Sequence, residues 1–372
     1  MYVHLPFCRS VCSYCDYVVA SGDQQGDAYF DSLLRELDDR CESTEGRRLR
    51  SVYFGGGTPS LAPVSWVERL LDRITSLIDG RPLQVTLEAN PEDVTSERLT
   101  AWVEAGVTRL VIGVQSFEPR VLDVLGRRHD PERAEEALTE ALATEELDVG
   151  VDLIFGAPDQ AISDLENDLD RLRAIGRPEA VFGFEYRTDD WEGEGEEVAD
   201  MLELLVEASR SMGFVREGVS SFCRRGKESR QALGYRTGWE YLGLGVGASS
   251  LEIDASGAVS RRRNRPTLPE YLAPPSEPGE AVPVEPDEFF QDRLALGMRT
   301  SAGVDWQVVQ EQFADGIGVE LLERGRRSLE WSVAQGLAER EGEAYYPTDR
   351  GFDLADGVAR AFRDRLEVDS DS

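Results

Sequence analysis

Three cysteines near the start of the chain are spaced for metal chemistry. Cys8, Cys12 and Cys15 lie within eight positions, with three residues between the first two thiols and two between the last two. Thiolates select soft metals, above all zinc and the irons of iron–sulfur clusters. A structural zinc site needs four closed ligands, and His4 is the nearest candidate for the fourth. A [4Fe–4S] cluster held by three thiolates instead keeps one iron open for an outside ligand, and the spacing alone allows both sites.

A run of three glycines is a second candidate for ligand binding. Gly55, Gly56 and Gly57 stand before Thr58 and Pro59, at the end of a predicted strand. Because these residues lack a Cβ atom, their backbone N–H groups can approach a ligand closely. A tight turn from strand to helix is the structural alternative, but one glycine would be enough for that. The pattern therefore favours a ligand.

The elements that must position these groups alternate between strand and helix. The apolar pattern predicts six strands, at residues 1–5, 49–54, 83–88, 109–114, 149–155 and 180–186. It predicts six helices after them, at residues 27–41, 66–78, 95–104, 131–143, 165–175 and 197–212. This alternation indicates an α/β fold with a parallel sheet, right-handed crossovers and functional strand ends on one rim. Periodicity does not separate a barrel from a doubly wound sheet.

The cysteine loop and its flanks resemble the radical S-adenosylmethionine (SAM) superfamily. Cys-x3-Cys-x2-Cys after a first strand is the superfamily signature. The longer string is similar to the branch that holds oxygen-independent coproporphyrinogen III oxidases and HemW-type heme chaperones: Tyr2-x-His4-x-Pro6-Phe7-Cys8-x3-Cys12-x-Tyr14-Cys15-Asp16. The resemblance implies a partial (β/α)6 barrel and a [4Fe–4S] cluster on the three cysteines.

The resemblance also implies a set of SAM contacts at strand ends and loops. These are Tyr2, Tyr14, Gly56, Gly57, Thr58, Glu88, Gln115, Arg127 and Asp152. Gly56, Gly57 and Thr58 are implied to contact the amino group of SAM. Two of the other residues have structural alternatives, since Arg127 would also suit a surface ion pair and Asp152 a helix cap or a polar network.

The rest of the chain departs from the strand–helix alternation. Residues 1–212 are predicted to form the partial barrel, and the resemblance implies a sheet extension with a glycine-rich return over 213–272. The stretch 273–287, rich in Pro and Glu, predicts a linker. Residues 288–372 predict a small winged-helix-like helical domain, with helices at 288–300, 305–313 and 321–335 and a hairpin at 337–348. Because its helices are acidic, we expect a lid or docking module in place of a DNA-binding domain.

The charge is strongly one-sided. The formal net charge is -32, from 72 acidic and 40 basic residues, and Lys227 is the single lysine. Such a surface is typical of halophilic proteins, in which salt screens self-repulsion. It argues against nucleic acid or anionic lipid as a partner. With clustered thiols, no membrane-length apolar run and no signal peptide, the sequence predicts a cytoplasmic protein.

Two functions follow from the resemblance. In the first, the protein is a heme chaperone that binds heme and SAM, receives electrons from a donor and passes heme to an acceptor protein. In the second, it is an oxidase that decarboxylates the propionate side chains of coproporphyrinogen III. Asp16 fits the chaperones, Tyr17 stands where the oxidases carry a fourth cysteine, and seven residues precede Cys8 where they carry a long arm. These features favour the chaperone.

One segment departs from the chaperone pattern. The chaperone branch carries a His-Asn pair ahead of a tyrosine, implicated in heme binding, in a stretch that resembles residues 228–235. Here Gln231 and Ala232 take the place of that pair, ahead of Tyr235. Imidazole is a good iron ligand and a glutamine amide is a poor one. Cys223 is an alternative ligand, although a buried structural thiol is the favoured interpretation.

Overall fold

A nine-stranded sheet forms the centre of the protein, and its six middle strands are parallel. The computed structural model describes residues 1–22, 25–41, 47–78, 81–188, 191–192, 195–273, 279–314 and 316–367. The six strands are β1 (Tyr2–Leu5), β2 (Ser51–Gly56), β3 (Gln84–Ala89), β4 (Arg109–Gln115), β5 (Asp148–Phe155) and β6 (Ala180–Glu185). Each strand is hydrogen-bonded to the next in chain order.

The strand order decides between the two sheet types that periodicity left open. A doubly wound sheet reverses its order at a switch point, whereas a barrel adds each strand beside the previous one. From β1 to β6 the order has no reversal, and right-handed crossovers then place the helices on one face. The partial (β/α)6 barrel is confirmed.

Seven helices belong to the barrel. They are α1 (Gly26–Cys41), α2 (Val64–Leu77), α3 (Ser96–Glu104), α4 (Pro119–Leu125), α5 (Pro131–Leu142), α6 (Ile162–Ile175) and α7 (Gly195–Ser211). Their apolar stripes pack on the sheet, as in α2, where Trp66, Leu70 and Ile74 recur every four residues and are buried. Side-chain caps fix the start of α3 at Thr95 and of α5 at Asp130. The predicted helices are thus present, with ends that agree with the predicted ones to within three residues.

The segment after α7 adds strands to both edges of the sheet. Its elements are β7 (Val215–Arg216), β8 (Ser221–Cys223), α8 (Arg230–Arg236), β9 (Gly243–Leu244), β10 (Ser249–Ile253), β11 (Val259–Arg263), α9 (Leu268–Leu272) and β12 (Ala281–Val284). Strand β8 pairs antiparallel with β6, and β9 pairs parallel with β1 at the other edge. Of the predicted linker, 281–284 form β12 beside β11, whereas 274–278 lie outside the described residues. The domain boundaries stay a prediction.

The C-terminal region is helical with a three-stranded antiparallel sheet. It contains α10 (Pro286–Gly297), β13 (Val304–Asp305), α11 (Trp306–Phe313), α12 (Val319–Ala334), β14 (Ala338–Glu341), β15 (Ala344–Pro347), α13 (Asp349–Asp353) and α14 (Ala355–Leu366). A hydrophobic cluster that includes Phe290, Trp306 and Leu329 holds it together. The β14–β15 hairpin is the predicted wing, so the winged-helix-like form is confirmed. None of the described helices has both the length and the apolar character needed to cross a bilayer.

One strand end differs from the prediction in a way that matters for the site. The predicted second strand ended at Phe54, with the glycines as a loop. In the structure β2 continues through Gly55 and Gly56, because these residues pair with His4 and Leu5 of β1. The first part of the glycine run is therefore part of the sheet.

Candidate functional site

A cleft of about 420 Å³ opens at the C-terminal ends of the parallel strands. Its wall combines the cysteine loop with the ends of β2 to β6. The predicted site residues that line it are Cys8, Cys12, Tyr14, Cys15, Gly56, Gly57, Thr58, Glu88, Gln115, Arg127 and Asp152. Residues that are far apart in the chain therefore meet at one rim, as expected for a barrel.

The three thiols occupy one side of this cleft. Cys8 is buried and Cys12 and Cys15 are half-buried. A short parallel pairing of Phe7–Cys8 with Ala20–Ser21 closes the base of their loop. The Thr58 hydroxyl donates to Cys8 Sγ over 3.4 Å. Within the described residues, no group of three or more His, Cys, Asp or Glu side chains is arranged to hold a single metal ion. A [4Fe–4S] cluster has a different requirement, because each of its three protein-bound irons takes one thiolate.

His4 is part of the barrel core. Its Nε2 donates to the carbonyl of Val18 over 2.7 Å, so its Nδ1 accepts the hydrogen bond from the Tyr2 hydroxyl, at 3.1 Å. Burial lowers the pKa of His4, which keeps the ring neutral. Both ring nitrogens are thus engaged within the protein, and the structure does not support His4 as a fourth metal ligand.

Tyr2 lies behind the cleft wall. Its hydroxyl holds His4, and its ring stacks on Tyr53 with centroids 6.1 Å apart. It is the one predicted SAM residue that does not line the cleft. In this position Tyr2 supports the wall, and its contact with SAM stays a prediction.

The backbone N–H groups at the end of the glycine run are not available to a ligand. The N–H groups of Gly57 and Thr58 donate to the carbonyls of Leu5 and Phe7, over 2.8 and 2.9 Å. The expectation that these N–H groups face a ligand is therefore wrong. The cleft-lining backbone can instead present carbonyl oxygens, which accept hydrogen bonds from a cationic amino group.

Close packing explains why glycine is needed here. Gly56 has a φ of +113°, and a Cβ atom on it would lie 2.6 Å from the His4 ring. A Cβ atom on Gly57 would lie 2.6 Å from the Pro6 carbonyl and 3.0 Å from Cys8 Sγ. Any larger residue at 57 would displace the cysteine loop.

Two half-buried carboxyl groups, Glu88 and Asp152, lie close enough in the cleft to repel each other. The Tyr53 hydroxyl donates to Glu88 Oε1 over 2.5 Å, and the N–H of Gly56 also bonds Glu88. Burial nevertheless raises the pKa of Glu88 to about 7. Burial, and then the Glu88 carboxyl, raise the pKa of Asp152 well above its usual value. Poorly solvated acids of this kind favour a cation as their ligand.

Gln115 reaches the cleft through a distortion of its strand. The pairing of β4 with β5 skips Val114, so Gly113 faces Asp152 and Gln115 faces Leu153. Gln115 has a φ of +67°, in the left-handed region that non-glycine residues seldom adopt. Its Oε1 is buried and lacks a hydrogen-bond partner. A strained residue with an unsatisfied acceptor is typical of a ligand site.

Arg127 connects three parts of the wall. Its Nη2 donates to Asn90 Oδ1 and to the Gly113 carbonyl, over 2.7 and 2.8 Å. Its Nη1 lies 3.6 Å from Cys12 Sγ and 3.5 Å from the Tyr14 hydroxyl. Its Nε is buried without a partner. The surface ion pair considered for Arg127 is therefore wrong.

Sequence reasoning missed several residues of the wall. Asn90, which bonds Arg127, also approaches the Thr58 hydroxyl at 3.5 Å. Its position just after β3 and before a proline was a signal that could have identified it. Tyr186 stacks edge-on against Tyr14, and exposed Phe184 also lines the cleft. Sequence patterns give no direct sign of these aromatic contacts.

Comparison with known proteins identifies the family. The Radical SAM superfamily model matches residues 2–172. The heme chaperone HemW of Mycobacterium tuberculosis is 31% identical over 378 residues, which cover 97% of this chain and 93% of that one. The chain belongs to the HemW family of radical SAM proteins. The heme chaperone HemW of Bacillus subtilis is similar over 98% of this chain and 99% of its own length, at 28% identity.

A solved structure supports the fold assignment. Coproporphyrinogen III oxidase (HemN) from Escherichia coli, a radical SAM enzyme, matches with a TM-score of 0.78 over 97% of this chain and 89% of its own. At 22% sequence identity, this likeness shows the fold alone. The fold of this chain therefore matches that of the solved structure over almost its whole length.

The segment in which HemW-type chaperones are expected to contact heme lies elsewhere. Gln231 and Tyr235 belong to α8 and line a second cavity, at the N-terminal ends of the strands. Cys223 lies in β8, fully buried and outside that wall. Burial raises the pKa of its thiol. The structural interpretation of Cys223 therefore holds.

Proposed function

We propose that this chain is a heme chaperone of the HemW type, which holds a [4Fe–4S] cluster and SAM in the cleft and delivers heme to an acceptor protein. The main observation behind this proposal is that Cys8, Cys12 and Cys15 line the same cleft as Gln115, whose Oε1 has no hydrogen-bond donor. Nearly full-length similarity to heme chaperones named HemW supports it.

Cys8, Cys12 and Cys15 would hold the cluster. Bound together, cluster and SAM supply one-electron reductive chemistry toward the SAM sulfonium. The chain's own part is to stabilise the thiolates. The Thr58 hydroxyl donates to Cys8 Sγ, and the Arg127 guanidinium lies beside Cys12 Sγ. Both contacts favour a charged sulfur over a neutral one.

The other wall residues match the groups of SAM in charge and polarity. Glu88 and Asp152 offer carboxylates to its positive charges, and the carbonyls of Gly56 and Gly57 suit its amino group. Arg127 suits its carboxylate, and Gln115 Oε1 accepts from a hydroxyl. Arg127 and Gln115 each have a buried, unpartnered atom, so a ligand that bonds these atoms would gain free energy.

The protein is also proposed to work in the cytoplasm. Cys8, Cys12 and Cys15 form no disulfide, and a thiol set of this kind is kept reduced in that compartment. The electron donor and the heme acceptor would be proteins of the same compartment.

The test starts from protein purified without oxygen in high salt, with its cluster reconstituted. Heme is titrated by absorbance, and coproporphyrinogen III is incubated with SAM and a reductant before mass spectrometry. We expect stoichiometric heme binding and an unchanged porphyrinogen. Loss of two carboxyl groups per porphyrinogen, dependent on Cys8, would instead make the protein an oxidase.

Two cysteine variants complete this test. Cys8→Ser should lose iron and SAM binding, because the cluster loses one of its three thiolates. Cys41→Ala is the matched control, since Cys41 lies at the end of α1 and outside the cleft. Equal iron content in both variants would exclude the proposed cluster site.

A further inference from the structure

The second cavity lies at the opposite end of the barrel from the cleft and is larger, about 1050 Å³. Ser51, the first residue of β2, lines this lower cavity, whereas Gly56, the last residue of β2, lines the cleft. Six residues of strand separate the two sites by about 16 Å. Ligand pockets commonly measure about 300–1,000 Å³, so the lower cavity has room for a ligand larger than most.

The lower cavity reverses the charge balance of the protein. The whole chain has 72 acidic and 40 basic residues. The wall of the cavity has five arginines, Arg40, Arg47, Arg48, Arg50 and Arg230. It has three acidic residues, Glu240, Glu252 and Asp254. In a protein this acidic, a wall with more arginines than acids indicates an anionic ligand.

The acidic residues of the wall are already engaged. Glu240 pairs with Arg47 at 2.5 Å, and Glu252 pairs with Arg40. Asp254 accepts hydrogen bonds from the backbone N–H groups of Ser256 and Ala258 in a turn. These contacts satisfy the three carboxylates within the protein.

Three arginines of the wall remain for a ligand. Arg48, Arg50 and Arg230 have no ion pair among the residues that the structure describes. The Arg50 guanidinium lies over the Trp239 ring, 4.7 Å from its centroid, and the backbone N–H of Arg230 is fixed by Gln84. Guanidinium groups bind carboxylates and phosphates through paired hydrogen bonds.

The rest of the wall suits a flat ring. Trp239, Tyr235 and Tyr241 contribute aromatic faces, and the last two rings meet edge to face with centroids 4.4 Å apart. Gln231 lines the cavity with 8% of its surface exposed, and its amide lies beside the Tyr235 hydroxyl. Its Nε2 makes no hydrogen bond of good geometry there, so the amide can turn to a polar ligand.

The wall is poorly equipped to bind iron. Within its described residues it holds neither an imidazole nor a thiol. Tyr235 and Tyr241 could ligate heme iron only as phenolates, and burial raises the pKa of both. The Met1 side chain is packed in the barrel core. The cavity would therefore recognise a ligand by its flat ring and its negative charge, and not by an iron atom.

We propose that the lower cavity binds the tetrapyrrole cargo with no protein ligand to the iron. The protein would contact the carboxylate side chains of the tetrapyrrole and the face of its ring. This inference rests on the proposed function, since it takes heme as the cargo. Arg48 and Arg230 would bind the propionates, and Trp239 would stack on the macrocycle. Gln231 and Ala232, in place of a His-Asn pair, would then be compatible with heme carriage.

The experiment titrates the full-length, cluster-loaded protein with three probes: ferric heme, metal-free protoporphyrin IX and protoporphyrin dimethyl ester. We expect the Kd values of heme and the metal-free ring to agree within about threefold. The uncharged ester should bind at least about tenfold more weakly, because it cannot form the Arg–carboxylate pairs. Arg48→Gln and Arg230→Gln should each weaken both acidic rings by about fivefold or more. Arg327→Gln, at an exposed position on α12, is the matched control and should bind normally.

A gain-of-function variant makes the test independent of folding defects. Gln231→His introduces an imidazole into the wall, so heme should then bind more tightly than the metal-free ring, with a shifted Soret band. In the wild type, heme binding at least tenfold tighter than that of the metal-free ring would overturn the inference. Heme binding that is insensitive to both arginine variants would do the same. Either result would leave the chaperone proposal intact, whereas a cluster-loaded protein that binds no tetrapyrrole would overturn both.

Discussion

Asp168 shows how a single buried side chain supports the cleft. Its carboxylate accepts hydrogen bonds from the Ser116 hydroxyl, at 2.7 Å, and from the Phe117 N–H, at 2.6 Å. It thereby holds the turn that follows Gln115. The side chain is fully buried, and burial raises its pKa to about 7 despite both hydrogen bonds. In the unfolded chain an aspartate titrates near about 3.9.

Asp168 should therefore make stability depend on pH. Because its folded pKa is above its unfolded pKa, its contribution is fully present below about pH 4 and is lost as the pH rises through about 7. Asp168→Asn does not titrate, and its amide can accept from Phe117 and donate to Ser116. We expect the variant to gain on the order of 4 kcal/mol over the wild type at pH 8, about 1.5 kcal/mol at pH 5 and little below about pH 4. Urea unfolding at several pH values measures this difference.

The control for this prediction is Asp170→Asn, on the same helix. Asp170 is exposed and pairs with Arg173 at 2.6 Å, so the change should alter stability by less than about 1 kcal/mol at either pH. If the stability difference between Asp168→Asn and the wild type did not change with pH, Asp168 would not titrate as described.

At the residue scale, local patterns identified part of the wall, and the family resemblance supplied most of the rest. The spacing of Cys8, Cys12 and Cys15 and the strand-end position of Glu88 are visible in the sequence, because both depend on near neighbours in the chain. Hydrogen-bond partners depend on residues brought together by folding. The engagement of His4 with Val18 could therefore not be predicted.

At the element scale, the distortion of β4 lowers the stability of the fold and places the Gln115 side chain in the cleft. A non-glycine residue in the left-handed region costs about 1–3 kcal/mol, and an unsatisfied buried acceptor adds to that cost. Gln115 carries both. The same strand would be more stable with glycine there, but it would lose the side chain that faces the cleft.

We therefore predict opposite effects of Gln115→Gly on stability and on binding. The free energy of unfolding should rise by about 1 kcal/mol, because glycine relieves the strain and removes the unsatisfied oxygen. SAM affinity should fall about tenfold, corresponding to the loss of one buried hydrogen bond. Urea unfolding and equilibrium SAM binding measure the two quantities.

Asp159→Gly is a close control for this variant. Asp159 is the other described non-glycine residue with a positive φ, at +59°, and it lies on an exposed turn. The change should stabilise the protein without altering SAM affinity. A similar loss of SAM affinity in both variants would mean that strain relief, and not the lost side chain, weakens binding.

The sequence predicted the strands and helices better than it predicted which short strands pair with each other. The strands and helices of the barrel follow from apolar periodicity, and the order of the strands follows from short crossovers. Strands β8 and β9 are only three and two residues long, and they pair with opposite edges of the sheet. Pairing over such distances in the chain has no local pattern, so the lower cavity, which is lined in part by the segment that joins β8 to β9, was not predicted.

At the scale of the whole molecule, the acidic surface destabilises the compact fold. The net charge of -32 is a source of self-repulsion in the compact state. Many ion pairs in the structure are exposed, such as Arg73 with Asp38 and Arg210 with Asp349. Exposed pairs contribute about 0–1 kcal/mol each, too little to offset repulsion among the acidic residues.

Salt should therefore stabilise the folded protein by screening. The Debye length falls from about 10 Å at 0.1 M to about 3 Å at 1 M, so most of the gain should appear below about 1 M KCl. We predict a rise of several kcal/mol in the free energy of unfolding, on the order of 3, between 0.1 and 1 M. Urea unfolding across a KCl series measures it, and potassium sulfate at matched ionic strength separates screening from strengthened apolar burial. A stability that rises in sulfate but stays flat in KCl would show that charge repulsion does not limit this fold.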